Sequence, residues 1–387
     1  MVILGIETSC DETSVAIVQE DPPYSGSFYV VVNHIASQIA RHAPFGGVVP
    51  EVATREHLLN LPRLVHNALQ DCELTPRLID AVAVTEGPGL AASLLIGHSY
   101  ARAFAIAADK PVIGVNHLEA HLFSPFLTHR RPVAFPFLGL IASGGHSILV
   151  HVRSWDDYKR IGATADDAAG ECFDKVAKLL GLPYPGGPEV EKMARHGNPT
   201  RYDFPRSFMQ AGNYNFSFSG LKTAVRYFAE RHPEVLTDGN MLADVCASFQ
   251  AAVVEVLVRK TVDAALRTGV PRVLAAGGVL CNNVLRQALA EECRHQGLDL
   301  MLADASICTD NAAMIAAVAG GKLAAGIHPR IRADIDPNLS LFARQPDREE
   351  ADAFRAGREG KDGKPRKGNE NRAVYTRRQR GALHPGS

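Results

Sequence analysis

The sequence has no uninterrupted apolar stretch long enough to span a bilayer. It also has no basic segment running into an apolar one at its start, since MVILGIETSCDE meets acids by Asp11 and Glu12. Neither a membrane-spanning chain nor a secretory signal is expected. Cysteine pairs are missing too. No two of the seven cysteines are closer than twelve positions, so neither CxxC nor zinc-ribbon spacing occurs. The odd count suggests free thiols in a reducing cytoplasm. The nucleotide patterns GxxxxGK[ST] and GxGxxG are absent. No Ser-His-Asp arrangement can be read from spacing, and Cys10 has no base beside it, which disfavours covalent catalysis. Net charge is nearly absent as well, at −1 over 387 residues, but it averages two unlike regions. Residues 346–387 hold 11 Lys+Arg against 7 Asp+Glu, net +4, which leaves −5 for residues 1–345.

What is present reads as alternating strands and helices. A strand at Val2–Glu7, a polar turn at Thr8–Thr13 and a strand at Ser14–Gln19 form a hairpin with a polar tip. A similar unit recurs at Phe137–His151 around Ser143-Gly144-Gly145-His146, which suggests a duplicated domain. Between the hairpins, helices are expected over Thr54–Cys72 and Gly89–Ala108, and strands at Ala81–Thr85 and Val112–Val115. A helical, loop-rich stretch (155–231) follows the second hairpin. Then come a helix at Met241–Arg267, a strand at Arg272–Ala276, a helix at Asn283–Gln296, a strand at Asp299–Leu302 and a helix at Asn311–Ala325. The implied class is α/β with mixed sheets, with anion sites where glycine turns end strands and open helices. The tail beyond Asp347 has few large apolar residues and is expected to be disordered. It reads either as a solvated extension or as a basic arm for RNA, with Arg372, Arg377, Arg378 and Arg380 near Tyr375.

Three patterns bear on chemistry. His117-Leu-Glu-Ala-His121 places two imidazoles on one helix face, and Asp310 after the last strand is the best third ligand. Glu119, at i+2, would point about 200° away from His117, so it cannot act as the base of an HExxH protease. Two imidazoles and a carboxylate suit Fe(II), Zn or Mn. Of the Gly-Gly pairs, those at 144–145, 186–187 and 277–278 are flanked by Ser143, Asp174 and Asn282 and suggest a nucleotide cradle. Asp11 and Glu12 could hold a metal, position a nucleophile or accept a proton; alternatively, Thr8, Ser9, Asp11 and Thr13 simply bond the turn. In the helix at 89–108, Ser93, Gly97, Ala101 and Ala105 line one face, which either packs within the domain or meets a partner helix.

Taken together, nine stretches in order resemble the bacterial tRNA N6-adenosine threonylcarbamoyltransferase (TsaD) family, formerly labelled O-sialoglycoprotein endopeptidase. They are GIETSCDETSVAIV, FGGVVPEVATREHL, VTEGPGLAASLLIGHSYA, VNHLEAHLFSP, IASGGHS, DDAAGECFDKVAKLLGLPYPGGP, FSFSGLKTA, AAGGVLCNN and CTDNAAM. The resemblance covers about residues 2–342. It implies the actin/Hsp70/sugar-kinase (ASKHA) fold, with two related ribonuclease-H-like domains around a nucleotide cleft. The first would span 1–133, completed by 308–345. The second would span 134–307 with a helical insertion at 155–231, and 346–387 would be the basic tail. The implied metal ligands are His117, His121 and Asp310, the metal being iron, zinc or magnesium. The implied substrate contacts are Ile141, Ala142, Ser143, Gly144, Gly145, Asp174, Gly187 and Asn282, with Asp11 and Glu12 as proton acceptors. The implied reaction moves threonylcarbamoyl from threonylcarbamoyl-AMP to N6 of adenosine 37 in tRNAs reading ANN codons, releasing AMP. The implied partners are tRNA, a paralogous TsaB-like subunit docked on the helix at 89–108 and a small TsaE-like ATPase. The rivals are an ATP-dependent kinase or ATPase of the same superfold and the metallopeptidase of the old label. Lys222, in FSFSGLKTA, either touches phosphate or caps a turn.

Overall fold

The computed structural model describes residues 1–328 and 334–342. The basic tail lies outside the described residues. Near the N-terminus, β1 (Val2–Glu7), β2 (Glu12–Glu20) and β3 (Phe28–Ser37) lead through a short α1 (Ile39–His42) to α2 (Pro50–Asp71). Then follow β4 (Ala81–Gly87), α3 (Ala91–Ala108), β5 (Val112–Asn116) and α4 (His117–His129). The five strands form one sheet in the order β3-β2-β1-β4-β5, antiparallel on the hairpin side and parallel from β1 to β5.

The next segment repeats this plan. It comprises β6 (Phe137–Ala142), β7 (Ser147–Ser154), β8 (Asp157–Ala163), α5 (Ala169–Leu179), α6 (Gly186–Ala194), α7 (Ser219–Arg231) and α8 (Gly239–Thr268). After these come β9 (Arg272–Ala276), α9 (Asn283–His295), β10 (Asp299–Leu302), α10 (Ala305–Cys308) and α11 (Ala312–Ala324). The second sheet runs β8-β7-β6-β9-β10, with the same senses of pairing at the corresponding positions. The two hairpins expected from sequence are therefore the first two strands of two sheets with one topology. The strands β3 and β8, absent from the sequence reading, add the outer antiparallel member to each.

Strand periodicity decides what covers each sheet. Along β1, Leu4 and Ile6 face a cluster with Leu61 and Val65 of α2 and Ala101 and Ala105 of α3. Ile3 belongs to the larger core on the opposite face. There α11 packs on β1 and β2, and α4 packs on α11 and on β6 and β9. Gly5 permits that approach, since a Cβ on it would lie 2.3 Å from the Ala312 carbonyl oxygen. With sheet or helix on both sides, α4 is buried from His117 to Leu127.

The helix α8 spans 30 residues and is apolar enough by length and composition to cross a membrane, yet 72% of its most apolar window is buried inside the protein. It packs on α6, α9, β6 and β9. Asp238 caps it, accepting from the Asn240 and Met241 amides, and Gly269 ends it with φ +68°.

The candidate metal and nucleotide site

The parallel strands end on one side of each sheet, and the chemistry gathers there. The last residue of β5, Asn116, caps α4 by accepting from the Leu118 and Glu119 amides at 2.9 and 3.2 Å. The helix therefore starts at His117, and one turn later His121 lies beside it, with ring centroids 4.8 Å apart. Asp310 precedes Asn311, which caps α11 by accepting from the Met314 amide. The hydroxyl of Ser14 on β2 accepts from the Ala312 amide at 2.9 Å and fixes this turn against the first sheet. Asp310 Oδ1 lies 3.4 Å from His117 Nε2 and 3.0 Å from His121 Nε2. One donor atom from each of the three residues falls within 4.8 Å of the others.

Glu7, which the sequence reading did not single out, completes the cluster. It ends β1, is fully buried, and accepts at Oε2 from Thr85 Oγ1 at 2.6 Å. The same oxygen lies 3.0 Å from His117 Nδ1, and Oε1 accepts from the Ser9 amide at 2.5 Å. His117 thus has a carboxylate at each ring nitrogen. Burial alone would lower its pKa, but the charges of Asp310 and Glu7 outweigh it and raise the group well above its ordinary value. Burial likewise pushes Glu7 and Asp310 up. His117 reverses this at Glu7, and His117 with His121 reverses it at Asp310, so both carboxyls end below the ordinary range. The pocket is built around a positive charge, and two imidazoles with one carboxylate fit a divalent cation that keeps open positions.

Glu119 points elsewhere. It pairs with Lys322 of α11 at 2.7 Å and accepts from the Tyr158 hydroxyl of β8, so it ties three elements together away from the histidines.

Both hairpin tips border this cluster. Asp11 and Glu12 lie on the first. Burial, reinforced by the charges of Asp310 and Asp11, pushes the Glu12 carboxyl up to about 10. Burial and Asp11 also raise the Cys10 thiol, which leaves it a poor nucleophile. On the second tip, the carbonyls of Ser143 and Gly144 accept from the Gly170 and Glu171 amides at the start of α5. His146 closes the tip. Burial lowers its pKa to about 4, and the positive charges of His117 and His121 add to the effect.

A methyl group placed on Gly144, Gly145, Gly187 or Gly278 would meet nothing within 4 Å, so these backbones border open space. Gly277, with φ +103°, packs against Ala142, and a Cβ there would lie 2.4 Å from the Ala142 carbonyl oxygen. The open member of that pair is Gly278.

Other expected contacts are constrained by neighbours. The side chains of Ile141 and Ala142 are in the core, so only their backbones could meet a ligand. Asp174 Oδ1 accepts from the Gly186 amide at 2.7 Å, and burial raises its pKa, with Asp11 among the charges adding to the shift. Asn282 caps α9 through the Leu285 amide and donates to Gln250 Oε1 at 2.7 Å. Lys222 pairs with Asp167 at 2.6 Å.

The small-residue stripe of α3 faces inward. Ser93, Gly97, Ala101 and Ala105 are buried, and a Cβ on Gly97 would lie 2.3 Å from Thr8 Oγ1. A partner on this helix must therefore use its other side. There Leu58, Leu61 and Pro62 of α2 and Leu95, Ile96 and Tyr100 of α3 line an apolar groove of about 420 Å³.

A family model described as TsaD, tRNA N6-adenosine threonylcarbamoyltransferase, matches residues 29–317. The tRNA N6-adenosine threonylcarbamoyltransferase of Geobacter metallireducens is 48% identical over 341 residues, 88% of this chain and 97% of the relative. That of Kosmotoga olearia is 46% identical over 343 residues, 89% of this chain and 100% of the relative. Among solved structures, full-length HypF in its phosphate- and nucleotide-bound form has a TM-score of 0.54 at 15% identity, over 83% of this chain and 55% of HypF. That likeness concerns the fold alone.

Proposed function

Because this chain belongs to the tRNA N6-adenosine threonylcarbamoyltransferase family, we infer that it transfers threonylcarbamoyl from threonylcarbamoyl-AMP to N6 of adenosine 37 in tRNAs reading ANN codons. The convergence of His117, His121 and Asp310, together with the open glycine turns at 144–145, 187 and 278, carries the assignment of roles. The attacking amine is weak because its lone pair is conjugated with the purine ring. The site must therefore hold the donor carbonyl close and stabilise the charge that develops on it.

A divalent metal on His117, His121 and Asp310, with iron favoured over zinc or magnesium, supplies Lewis acidity toward the donor's carbonyl and phosphate oxygens when bound. Glu7 orients His117 through Nδ1. The backbones at Ser143–Gly145, Gly187 and Gly278 receive the nucleotide, and Asp174 and Asn282 bound its ribose side. As N6 bonds to the carbonyl carbon, the bond from that carbon to the phosphate oxygen breaks and AMP leaves. The N6 proton passes to the acidic tip. Asp11 and Glu12 are the acceptors we assign there.

The partners we assign are tRNA, a TsaB-like paralogue on the outer side of α2 and α3, and a TsaE-like ATPase. The tRNA substrate puts the reaction in the cytoplasm. Neither rival is favoured. Glu119 is engaged with Lys322 and Tyr158, which removes the base a metallopeptidase would need. Mg-dependent kinases use oxygen ligands, whereas two imidazoles stand in this cleft.

The test is transfer of labelled threonine, with bicarbonate, ATP and the partner proteins, to tRNA. His117→Ala should abolish transfer with the far-UV spectrum unchanged, and Asp11→Asn should lower the rate while metal content stays constant. Unimpaired modification by His117→Ala would overturn the metal assignment. ATP hydrolysis without transfer would favour the ATPase reading.

A further inference from the structure

The stretch FGGVVPEVATREHL has no part in the reaction above, yet it reaches the acidic tip. His57, on α2, is fully buried, and its Nε2 lies 3.0 Å from the carbonyl oxygen of Cys10, the residue before Asp11. Its Nδ1 lies 2.8 Å from Oγ1 of Thr13, the residue after Glu12. The ring therefore grips the tip on both flanks of Asp11 and Glu12. Gln38, just after β3, adds to the grip. Its backbone amide donates to the Asp11 carbonyl at 3.1 Å, and its side-chain Nε2 lies 3.5 Å from Thr13 Oγ1 and 3.4 Å from His57 Nδ1. Gln38 Oε1 in turn lies 3.2 Å from His42 Nε2, and His42 Nδ1 lies 3.2 Å from the Val49 amide nitrogen. Thr13, Gln38 and His42 are buried as well.

The two ends of this chain of bonds fix the protons along it. A backbone amide can only donate, so Val49 makes His42 Nδ1 an acceptor and leaves the ring proton on Nε2, which donates to Gln38 Oε1. A backbone carbonyl can only accept, so His57 donates to Cys10 from Nε2. Its Nδ1 then accepts from the Thr13 hydroxyl and faces the Gln38 amide group. Burial lowers the His57 pKa and so favours the neutral ring that this arrangement needs. We propose that His57 is the positioning residue of the acidic tip, holding Cys10 and Thr13 as a neutral Nε2–H tautomer so that Asp11 and Glu12 meet the N6 proton. It acts through the turn rather than on the substrate. Without it a buried carbonyl and a buried hydroxyl lose their partners, and the turn shifts to recover them. A displacement of about 1 Å is enough to slow a positioned reaction roughly 100-fold.

The effect on transfer rests on the reading that this tip accepts the N6 proton; the grip on the tip does not. In full-length protein carrying isotope-labelled histidine, NMR of the ring nitrogens near neutral pH should show His57 with a protonated Nε2 and a bare Nδ1, the signal being assigned by its loss in His57→Gln. A bare Nε2 or a doubly protonated ring would overturn the proposal. His57→Phe keeps the bulk and removes both bonds. In that variant, hydrogen exchange of a peptide covering residues 8–14 should quicken about tenfold or more, while peptides from β4 and α2 keep their wild-type rates. Its kcat should fall about tenfold or more, with KM for tRNA and metal content unchanged. His57→Gln, whose amide again offers one donor and one acceptor, should recover kcat to within about threefold of wild type. Unchanged exchange at residues 8–14, or an equal rise in β4 and α2, would overturn the positioning role, as would a kcat in His57→Gln no higher than in His57→Phe. Wild-type kcat in His57→Phe with a loosened tip would overturn the link to transfer. The NMR measurement and His57→Gln decide the matter even where His57→Phe does not fold. Absence of transfer in wild-type protein with all partners would count against the transferase reading and leave the tautomer and the exchange rates to decide the positioning.

Discussion

Glu7 keeps an ionised carboxylate where no solvent reaches it. A lone charge in such a place costs several kcal/mol, so its presence requires compensation. The Thr85 hydroxyl, the Ser9 amide and the His117 ring provide it. In the proposed site the ring would also link Glu7 to the metal, because a histidine whose far nitrogen is held by a carboxylate is both oriented and more basic. Glu7→Gln preserves shape and can still bond Thr85 and Ser9, but it removes the charge that strengthens His117. Metal affinity should fall by roughly 10- to 100-fold, measured by competition with a chelator, with melting temperature far less affected than in Glu7→Ala. Unchanged metal affinity in Glu7→Gln would show that His117 needs no such support. The two histidines were legible in the sequence because four-residue spacing has only one meaning on a helix, and Asp310 because it follows a strand end. Glu7 left no such mark. A single acid closing an apolar strand reads as the strand's boundary, and its partner His117 is 110 residues away.

At the scale of the element, α3 shows what periodicity conveys and what it omits. Small residues every fourth position say that something approaches closely, and the structure shows that the first hairpin does so at Gly97. The stripe is thus filled from within, and Gly97→Leu should destabilise the fold rather than report on a partner. The opposite face carries Leu95 at 50% and Ile106 at 81% exposure, and α2 exposes Leu58 at 58% and Leu59 at 65%. Of these, Leu58 and Leu95 line the apolar groove proposed above as the seat of the paralogous subunit. Leu95→Glu should therefore weaken binding of the paralogous subunit by about tenfold or more, as for a central interface residue. The melting temperature of the isolated protein should move little, and calorimetric titration with the purified subunit measures the binding. Wild-type affinity in that variant would exclude the groove as the subunit's seat.

The described residues form two sheets with one strand order, as in the actin/Hsp70/sugar-kinase fold, and the repeat of a hairpin with a polar tip suggested that duplication in the sequence. The third strand of each sheet did not announce itself, since β3 and β8 are antiparallel strands outside the repeated motif and β8 falls in a stretch that reads as helix and loop. Charge adds a property that no element owns. A transferase acting on tRNA must bind a polyanion, yet residues 1–345 carry −5 and residues 346–387 carry +4. If the tail carries a share of the RNA affinity, salt will reveal it, because each phosphate contact contributes about 0.7–0.9 to the slope of log affinity against log salt. Removing residues 346–387 should flatten that slope by one or more contacts and weaken tRNA binding at physiological salt. At low salt, with saturating tRNA, the rate of transfer should be unchanged, because His117, His121, Asp310 and the glycine turns all lie before residue 346. Filter binding of tRNA across a salt series, with both forms of the protein, separates the two possibilities. A slope identical in the full chain and the truncated one means that the tail makes no phosphate contact and that RNA is held by the acidic body together with its partners.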